Sequence, residues 1–263
     1  MTIDHLTDPQ GRAALAALYH DALLGDVMPF WMRHGIDREH GGILTCVDRD
    51  GSLVDTDKSV WFQGRTAWML ATLVNTARSA SAGGEEWAKA SPVGEWLDAA
   101  SGCVEFLRRH CYAPDGKMYF TVTREGQPLR MRRYVFSESF SAIANAAFAK
   151  ATGDSRAAED ALKNFATYLH HSFTPGVMPP KFEATRPMNG IGPHMIGIAT
   201  AQELRANLGD VAVRGRSCTE WIDWSIAEIE RDFFKPELRA LLEVVAPDGS
   251  VIDHHEGRTL NPG

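Results

Sequence analysis

The sequence predicts an all-α domain, and two observations carry that prediction. Apolar residues recur at helical spacing in seven stretches, and long connections between these stretches alternate with short ones. The chain has 263 residues, of which 44% are hydrophobic, so it can bury a substantial core. We therefore predict one helical domain that spans residues 1–263.

The helical stretches are read from the spacing of their apolar residues. We predict helices over residues 11–33, 58–79, 93–110, 137–152, 155–171, 193–208 and 211–234. Pro29 should kink or restart the first helix, because proline cannot donate to the helical ladder. Ser137 is assigned as the N-cap of the fourth helix, and Gly153 as the left-handed residue that ends it. The predicted buried face of the first helix comprises Leu15, Leu18, Ala22 and Leu23.

The connections indicate where a functional site should lie. The Thr-Gly-Asp segment at residues 152–154 and the Leu-Gly-Asp segment at 208–210 are predicted to be tight turns between helices. Longer connections carry Asp-Gly or Glu-Gly turn signals, or are rich in proline over residues 174–193. In an up-and-down arrangement, this alternation puts every long loop at one end, the usual place for a site. The seventh helix lacks a hairpin partner, so we expect the domain to be incomplete at its C-terminus.

Charge and composition restrict the class of ligand. The formal net charge of -7 argues against a nucleic-acid or membrane-surface partner and favours a small neutral or weakly charged ligand. The four cysteines form no CxxC pair, so reduced thiols are expected. The N-terminus is polar, and no apolar run approaches the roughly 20 residues that a membrane span needs. We expect a cytoplasmic protein.

Several blocks of sequence resemble one known family. They are residues 33–42 (RHGIDREHGG), 48–51 (DRDG), 58–65 (KSVWFQGR), 134–140 (YVFSESF), 151–154 (ATGD) and 257–263 (GRTLNPG). In this order they are similar to blocks in the first two-thirds of the sequences of the N-acylglucosamine 2-epimerase family. The resemblance implies an α/α-barrel of six helical hairpins, with a sugar bound in a cleft among the long loops. This chain would supply about seven helices of that barrel.

The resemblance also implies the proton-transfer groups. In the family, the Asn-Pro-Gly element is followed by a His-x-x-Glu motif with a catalytic histidine, and a second essential histidine lies further on. The printed sequence ends at Gly263. We therefore expect the chain as printed to lack both histidines and to have negligible epimerase activity by itself. The resemblance implies no required cofactor, with ATP as an effector in some members, and a homodimer in related enzymes.

Inversion of a sugar at C2 defines what the site must contain. A base removes the proton α to the C1 aldehyde of the open-chain sugar, and an acid returns it to the opposite face; histidine suits both roles near neutral pH. Charge develops on O1, so a nearby cation lowers the barrier. Arg65 matches the family position that contacts the sugar and is the candidate for this role. Trp61 offers a flat face for a pyranose ring, but it fits a core position equally well.

Three further residues are candidates for substrate binding. Tyr119 aligns with an aromatic pocket position of related epimerases, or it packs within its loop. Glu138 either contacts the substrate or, as a carboxylate at the start of a helix, interacts favourably with the helix dipole. His194 opens the sixth helix, but the catalytic histidine of related epimerases and isomerases aligns two residues later, with Ile196, so His194 is a pocket residue or a helix-start residue. We expect no metal site, because the acidic and histidine residues at 34–40 lack the helical i,i+4 pairing of known zinc motifs.

The favoured function is 2-epimerisation of N-acetylglucosamine and N-acetylmannosamine. An acetamido group at C2 leaves no hydroxyl there to become a ketone, so such a sugar can be epimerised but not converted to a ketose. Two alternatives stay open: an aldose-ketose isomerase or epimerase of unsubstituted sugars such as mannose, and a non-catalytic interaction protein derived from the family. No GxxxxGK[ST] or GxGxxG motif points to a phosphate-binding loop.

Overall fold

A computed structural model describes residues 8–260 of the chain. Within this range, no helix is long and apolar enough to cross a membrane. A π-helical turn, Leu23–Val27, joins the first two helices, and a 3-10 turn covers Glu256–Arg258. The α-helices are α1 Pro9–Ala22, α2 Met28–His34, α3 Val60–Ala82, α4 Glu86–Ala90, α5 Val93–His110, α6 Phe136–Thr152, α7 Ser155–Phe173, α8 Gly192–Leu208 and α9 Cys218–Asp232.

The long helices form two layers. Helices α3, α6 and α8 lie side by side in one layer, and α5, α7 and α9 pack behind them in the other. Small residues allow α3 and α6 to approach closely: a Cβ atom on Gly64 would lie 2.8 Å from the backbone of Phe140. The centre of α6 is lined with buried alanines, so its neighbours pack against it at short range. The arrangement confirms the prediction of a mostly helical fold.

The long loops gather at one end of the layers, as the alternation of connections predicts. Short antiparallel strands join the first long loop (residues 35–59) to the second (residues 111–135), and the third (residues 174–191) to the fourth (residues 233–260). Between the second and third loops, Arg133 Nη1 donates to the carbonyl of Pro179 at 3.1 Å. The inter-loop pairs are β3 Lys58–Ser59 with β4 Thr121–Val122, and β6 Asn189–Gly190 with β11 Val244–Val245. The other strands are β1 Cys46–Val47, β2 Leu53–Asp55, β5 Pro128–Arg130, β7 Ala212–Val213, β8 Arg216–Ser217, β9 Phe234–Lys235 and β10 Ala240–Leu241.

A buried ion cluster ties the first loop to the second. The ammonium of Lys58, which is fully buried, donates to Asp37 Oδ2 at 2.9 Å, to the Gly41 carbonyl at 2.7 Å and to the Arg124 carbonyl at 2.8 Å. The guanidinium of Arg124 donates two further hydrogen bonds to the Asp37 carboxylate. Burial raises the pKa of Asp37, but hydrogen bonds from Arg124 and Lys58 outweigh it and hold the pKa well below its usual range. Asp37 is thus a structural carboxylate, and no group of residues between 8 and 260 is arranged to hold a metal ion.

Two predictions about helix ends are wrong. Val135, not Ser137, is the N-cap of α6; Ser137 lies buried inside the first turn, where it makes no capping hydrogen bond. The segment at 208–210 is not a tight helix-to-helix turn, because β7 and β8 form a hairpin before α9. That hairpin turns at Arg214 and Gly215, both at positive φ, and α9 then starts at a Ser217–Glu220 capping box. Gly153, with φ of 76°, ends α6 as predicted.

The predicted buried face of the first helix is also wrong. Leu18 and Leu23 are 55% and 39% exposed, and α1 contains no buried residue. This segment first meets the hydrophobic core at Leu24 and Met28, beyond the end of α1. The predicted restart near Pro29 is present, because the π-helical turn ends at Val27 and α2 begins at Met28.

Candidate functional site

The exposed faces of α3, α6 and α8 enclose a cavity. Its volume is about 330 Å³, at the lower end of the size range of small-molecule sites in proteins. Each of the three helices contributes both apolar and polar side chains to it. The lining residues are Arg65, Trp68, Ser139, Phe140, Ile143, Ile196, Ala199, Thr200, Gln202 and Glu203.

Arg65 and Trp61 lie one turn apart on α3 and share an aromatic neighbour. The Arg65 guanidinium carbon is 5.5 Å from the centroid of the Phe140 ring, and the Trp61 ring is 5.4 Å from the same ring. Arg65 is exposed, and no carboxylate of residues 8–260 forms an ion pair with it. The structure therefore presents a free guanidinium beside an aromatic wall, on the surface of a cavity.

The opposite side of the cavity holds a carboxylate that sequence reasoning missed. Trp68 Nε1 donates to Glu203 Oε2 at 2.7 Å, which links α3 to α8. Neither Trp68 nor Glu203 was among the candidate site residues named from the sequence. A partial signal exists in the sequence, because Trp61, Arg65 and Trp68 are spaced i, i+4, i+7 along one face of a helix. Glu203 has no comparable signal, since its partner lies 135 residues away.

Glu138 is placed under the second loop and does not line the cavity. Its side chain is only 1% exposed, and Oε1 accepts a hydrogen bond from the backbone N–H of Met118 at 2.7 Å. Oε2 is buried without a hydrogen-bond partner among the described residues. Burial raises the pKa of this carboxyl to about 7. Its position suits a residue that holds the second loop on α6.

Tyr119 and His194 also lie away from the cavity lining. Tyr119 packs partly buried in a cluster with Val60, and its backbone N–H donates to the Cys111 carbonyl at 2.9 Å. His194 stands in the first turn of α8, with its ring 5.0 Å from that of Phe173 and 5.2 Å from that of Trp224. Burial lowers the pKa of its imidazole.

The five predicted site residues therefore fall into two groups. Arg65 and Trp61 meet at Phe140, next to the cavity. Tyr119, Glu138 and His194 support the surrounding loops and helix starts. Ile196, two residues after His194, does line the cavity. The final block of the resemblance, residues 257–263, is described only as far as Leu260.

Comparison with known proteins gives a consistent set of relatives, although no protein-family model matches the chain. N-acylglucosamine 2-epimerase of Mus musculus is 31% identical over 245 residues, which cover 91% of this chain and 55% of that protein. The chain thus spans about half the length of this curated relative.

Solved structures show the same fold at low sequence identity. Cellobiose 2-epimerase from Bacillus thermoamylovorans B4167 superposes with a TM-score of 0.71 at 16% identity, covering 91% of this chain and 61% of that one. A D-mannose isomerase superposes with a TM-score of 0.66 at 14% identity, covering 89% and 56% of the two chains. Over nine-tenths of its length, the chain is thus a homologue of the N-acylglucosamine 2-epimerases and shares the fold of sugar 2-epimerases.

Proposed function

We propose that this chain forms the sugar-binding part of a 2-epimerase that interconverts N-acetylglucosamine and N-acetylmannosamine. One observation carries the proposal: a guanidinium without an ion-pair partner between residues 8 and 260 stands beside an aromatic wall at a cavity of about 330 Å³. Sugars bind to such surfaces through stacking on aromatic faces and hydrogen bonds to charged groups. The homology to N-acylglucosamine 2-epimerases supports the same class of substrate.

The proposed roles follow from the position of each side chain. Trp61 offers its face to the apolar side of the sugar, and Arg65 donates to O1, where negative charge develops as the C2 proton leaves. Glu203 accepts a hydrogen bond from a sugar hydroxyl through its carboxylate, which Trp68 already orients. In this reaction the C2 proton leaves to a base and returns from an acid on the other face, so no redox cofactor takes part.

A direct test measures both the exchange of the C2 proton and the sugar that is converted. The full-length gene product that includes residues 1–263 is incubated in D₂O with N-acetylmannosamine and, separately, with mannose. NMR then records deuterium at C2 and every new sugar. We expect C2 exchange and N-acetylglucosamine from the first substrate. Ketose from mannose without conversion of N-acetylmannosamine would instead establish the isomerase alternative. No exchange with either sugar would support a non-catalytic protein.

The role of Arg65 is tested with a matched pair of variants. R65M should lower kcat about 100-fold or more, because one donor to a developing oxyanion typically contributes that much. R156M is the control, since Arg156 is an exposed residue of α7 that does not line the cavity. Equal exchange rates in R65M and the unsubstituted protein would overturn the assigned role.

A further inference from the structure

The cavity that Arg65 lines has two levels. Helices α3, α6 and α8 all begin at the loop end, so residues equally far from the three helix starts lie at similar depths. The second level lies roughly 4.5 Å below the first, because it follows three residues later and one residue adds about 1.5 Å along a helix axis. The upper level comprises Arg65, Phe140 and Ile196, and the lower level comprises Trp68, Ile143 and Ala199.

Several hydrogen-bond donors of the cavity wall are already engaged within the protein. The hydroxyls of Ser139 and Thr200 each donate to a carbonyl of their own helix, at 2.9 and 2.7 Å. Trp68 Nε1 donates to Glu203. These three donors therefore do not compete for a ligand, and the indole of Trp68 presents mainly its apolar ring.

Three aliphatic side chains form a continuous part of the wall, which we call the acyl surface: Ile143, Ile196 and Ala199. Both isoleucines are half-buried and pack against the apolar cluster of α6, α7, α8 and α9, so their positions are fixed. Ala199 is exposed, and its single methyl group leaves room in a cavity of about 330 Å³. Such a surface favours an alkyl group over a hydroxyl, because apolar area leaves water on contact.

The chemistry of the sugar directs one substituent to this surface. O1 and the C2 substituent are carried by neighbouring carbons, so a sugar whose O1 meets Arg65 holds its C2 substituent beside that guanidinium. In an N-acyl sugar this substituent ends in an alkyl group. Arg65 and the acyl surface line the same cavity, so the alkyl end of the substituent is within its reach.

We propose that the acyl surface is the subsite for the N-acyl group, and that it admits unbranched acyl chains longer than acetyl. The inference rests on the proposed function in placing O1 at Arg65. A longer chain extends from the upper level towards the ring of Trp68, because Ala199 does not fill the space between them. Each further methylene that is buried should raise the affinity about fourfold.

The test uses methyl glycosides, which cannot open to the aldehyde and so bind without reacting. Calorimetry measures binding of methyl glucoside and of the methyl glycosides of N-acetyl-, N-propanoyl- and N-butanoylglucosamine to the full-length gene product that includes residues 1–263. We expect the N-acetyl compound to bind about fourfold or more tightly than the glucoside, and the N-propanoyl compound about fourfold more tightly again. An N-acetyl compound no tighter than the glucoside, or an N-propanoyl compound weaker than the N-acetyl one, would overturn the proposal.

Variants of α8 locate the subsite. A199L fills the lower level, so the ratio of N-butanoyl to N-acetyl affinity should fall about 10-fold or more. I196A widens the upper level and should raise the same ratio, which tests the subsite independently if A199L does not fold. A206L is the matched control, since Ala206 is exposed on the same helix and does not line the cavity. Circular dichroism and thermal unfolding establish which variants are folded. Ratios in folded A199L or I196A that equal the ratio in A206L contradict the proposal.

The result can be separated from that of the proposed reaction. Binding that depends on the acyl chain and responds to A199L, without C2 exchange of N-acetylmannosamine in D₂O, would sustain the subsite and refute the epimerase. Exchange of N-acetylmannosamine with affinity ratios that ignore A199L and I196A would do the reverse.

Discussion

The indole N–H of Trp68 donates to the carboxylate of Glu203 at 2.7 Å, joining α3 to α8 across the candidate cavity. Both side chains are half-buried, and Asn207 anchors the same turn of α8 by donating to the Glu203 carbonyl at 2.8 Å. Because α3 and α8 both pack against α6, this hydrogen bond links two sides of the cavity directly.

A double-mutant cycle should detect that hydrogen bond. W68F removes the donor and E203Q removes the charge of the acceptor, so the pair should show a coupling energy of about 1 kcal/mol, as expected for a partly solvated charged acceptor. Urea unfolding of the two single variants and the double variant supplies the measurement. Additive effects, with no coupling, would show that the contact is absent in solution.

The raised pKa of Glu138 predicts that the free energy of unfolding depends on pH. The folded-state pKa is raised to about 7 from a reference value of 4.5, so the folded protein holds this proton more tightly than the unfolded chain does. The associated stabilisation is complete below pH 4.5 and is lost as the pH rises through 7, by roughly 3 kcal/mol in all. E138Q keeps an acceptor for the Met118 N–H but cannot ionise.

The measurement is urea unfolding at pH 5 and at pH 8. We expect the unsubstituted protein to lose more stability than E138Q over this interval, because only the carboxyl ionises. Glu230→Gln serves as the control, since Glu230 is exposed on α9 and should leave the pH dependence unchanged. The same loss in E138Q as in the unsubstituted protein would mean that Glu138 titrates normally.

Sequence patterns located the helices well, because helical periodicity is a local property. Helix α5 spans the predicted residues, Val93–His110, and the left-handed Gly153 ends α6. The gathering of the long loops at one end also followed from the lengths of the connections. The β7–β8 hairpin was missed, because its strands are two residues long and lie next to apolar residues that extend the helical period.

The site was harder to predict than the fold. Arg65 was found because it matches a family position that contacts the sugar. Glu203 was missed, since its significance depends on a contact between distant segments. Glu138 was placed in the site, but a residue in the first turn of a helix can face either the cleft or the overlying loop, and only the packing of the second loop determines which.

Gly64 should be intolerant of any side chain. A Cβ atom there would lie 2.8 Å from the backbone of Phe140, so G64A should push α3 and α6 apart at a cost of about 1–3 kcal/mol. Gly94 in α5 is the matched control, because a Cβ atom there meets nothing within 4 Å. G94A should therefore stabilise the protein by about 0.5–1 kcal/mol. Thermal unfolding that ranks the two variants in the opposite order would contradict the close helix packing.

Lys58 should contribute more to stability than any exposed lysine of this chain. K58M removes the cation from a fully buried ion pair and leaves the Gly41 and Arg124 carbonyls without their donor, so we expect a loss of about 3–5 kcal/mol in urea unfolding. K89M breaks an exposed ion pair with Glu86 and should cost less than about 1 kcal/mol. Because β3 carries Lys58 and pairs with β4, hydrogen exchange at Thr121 and Val122 should accelerate in K58M and not in K89M. Similar losses in the two variants, with unchanged exchange at β4, would mean that the cluster does not tie the second loop to the first.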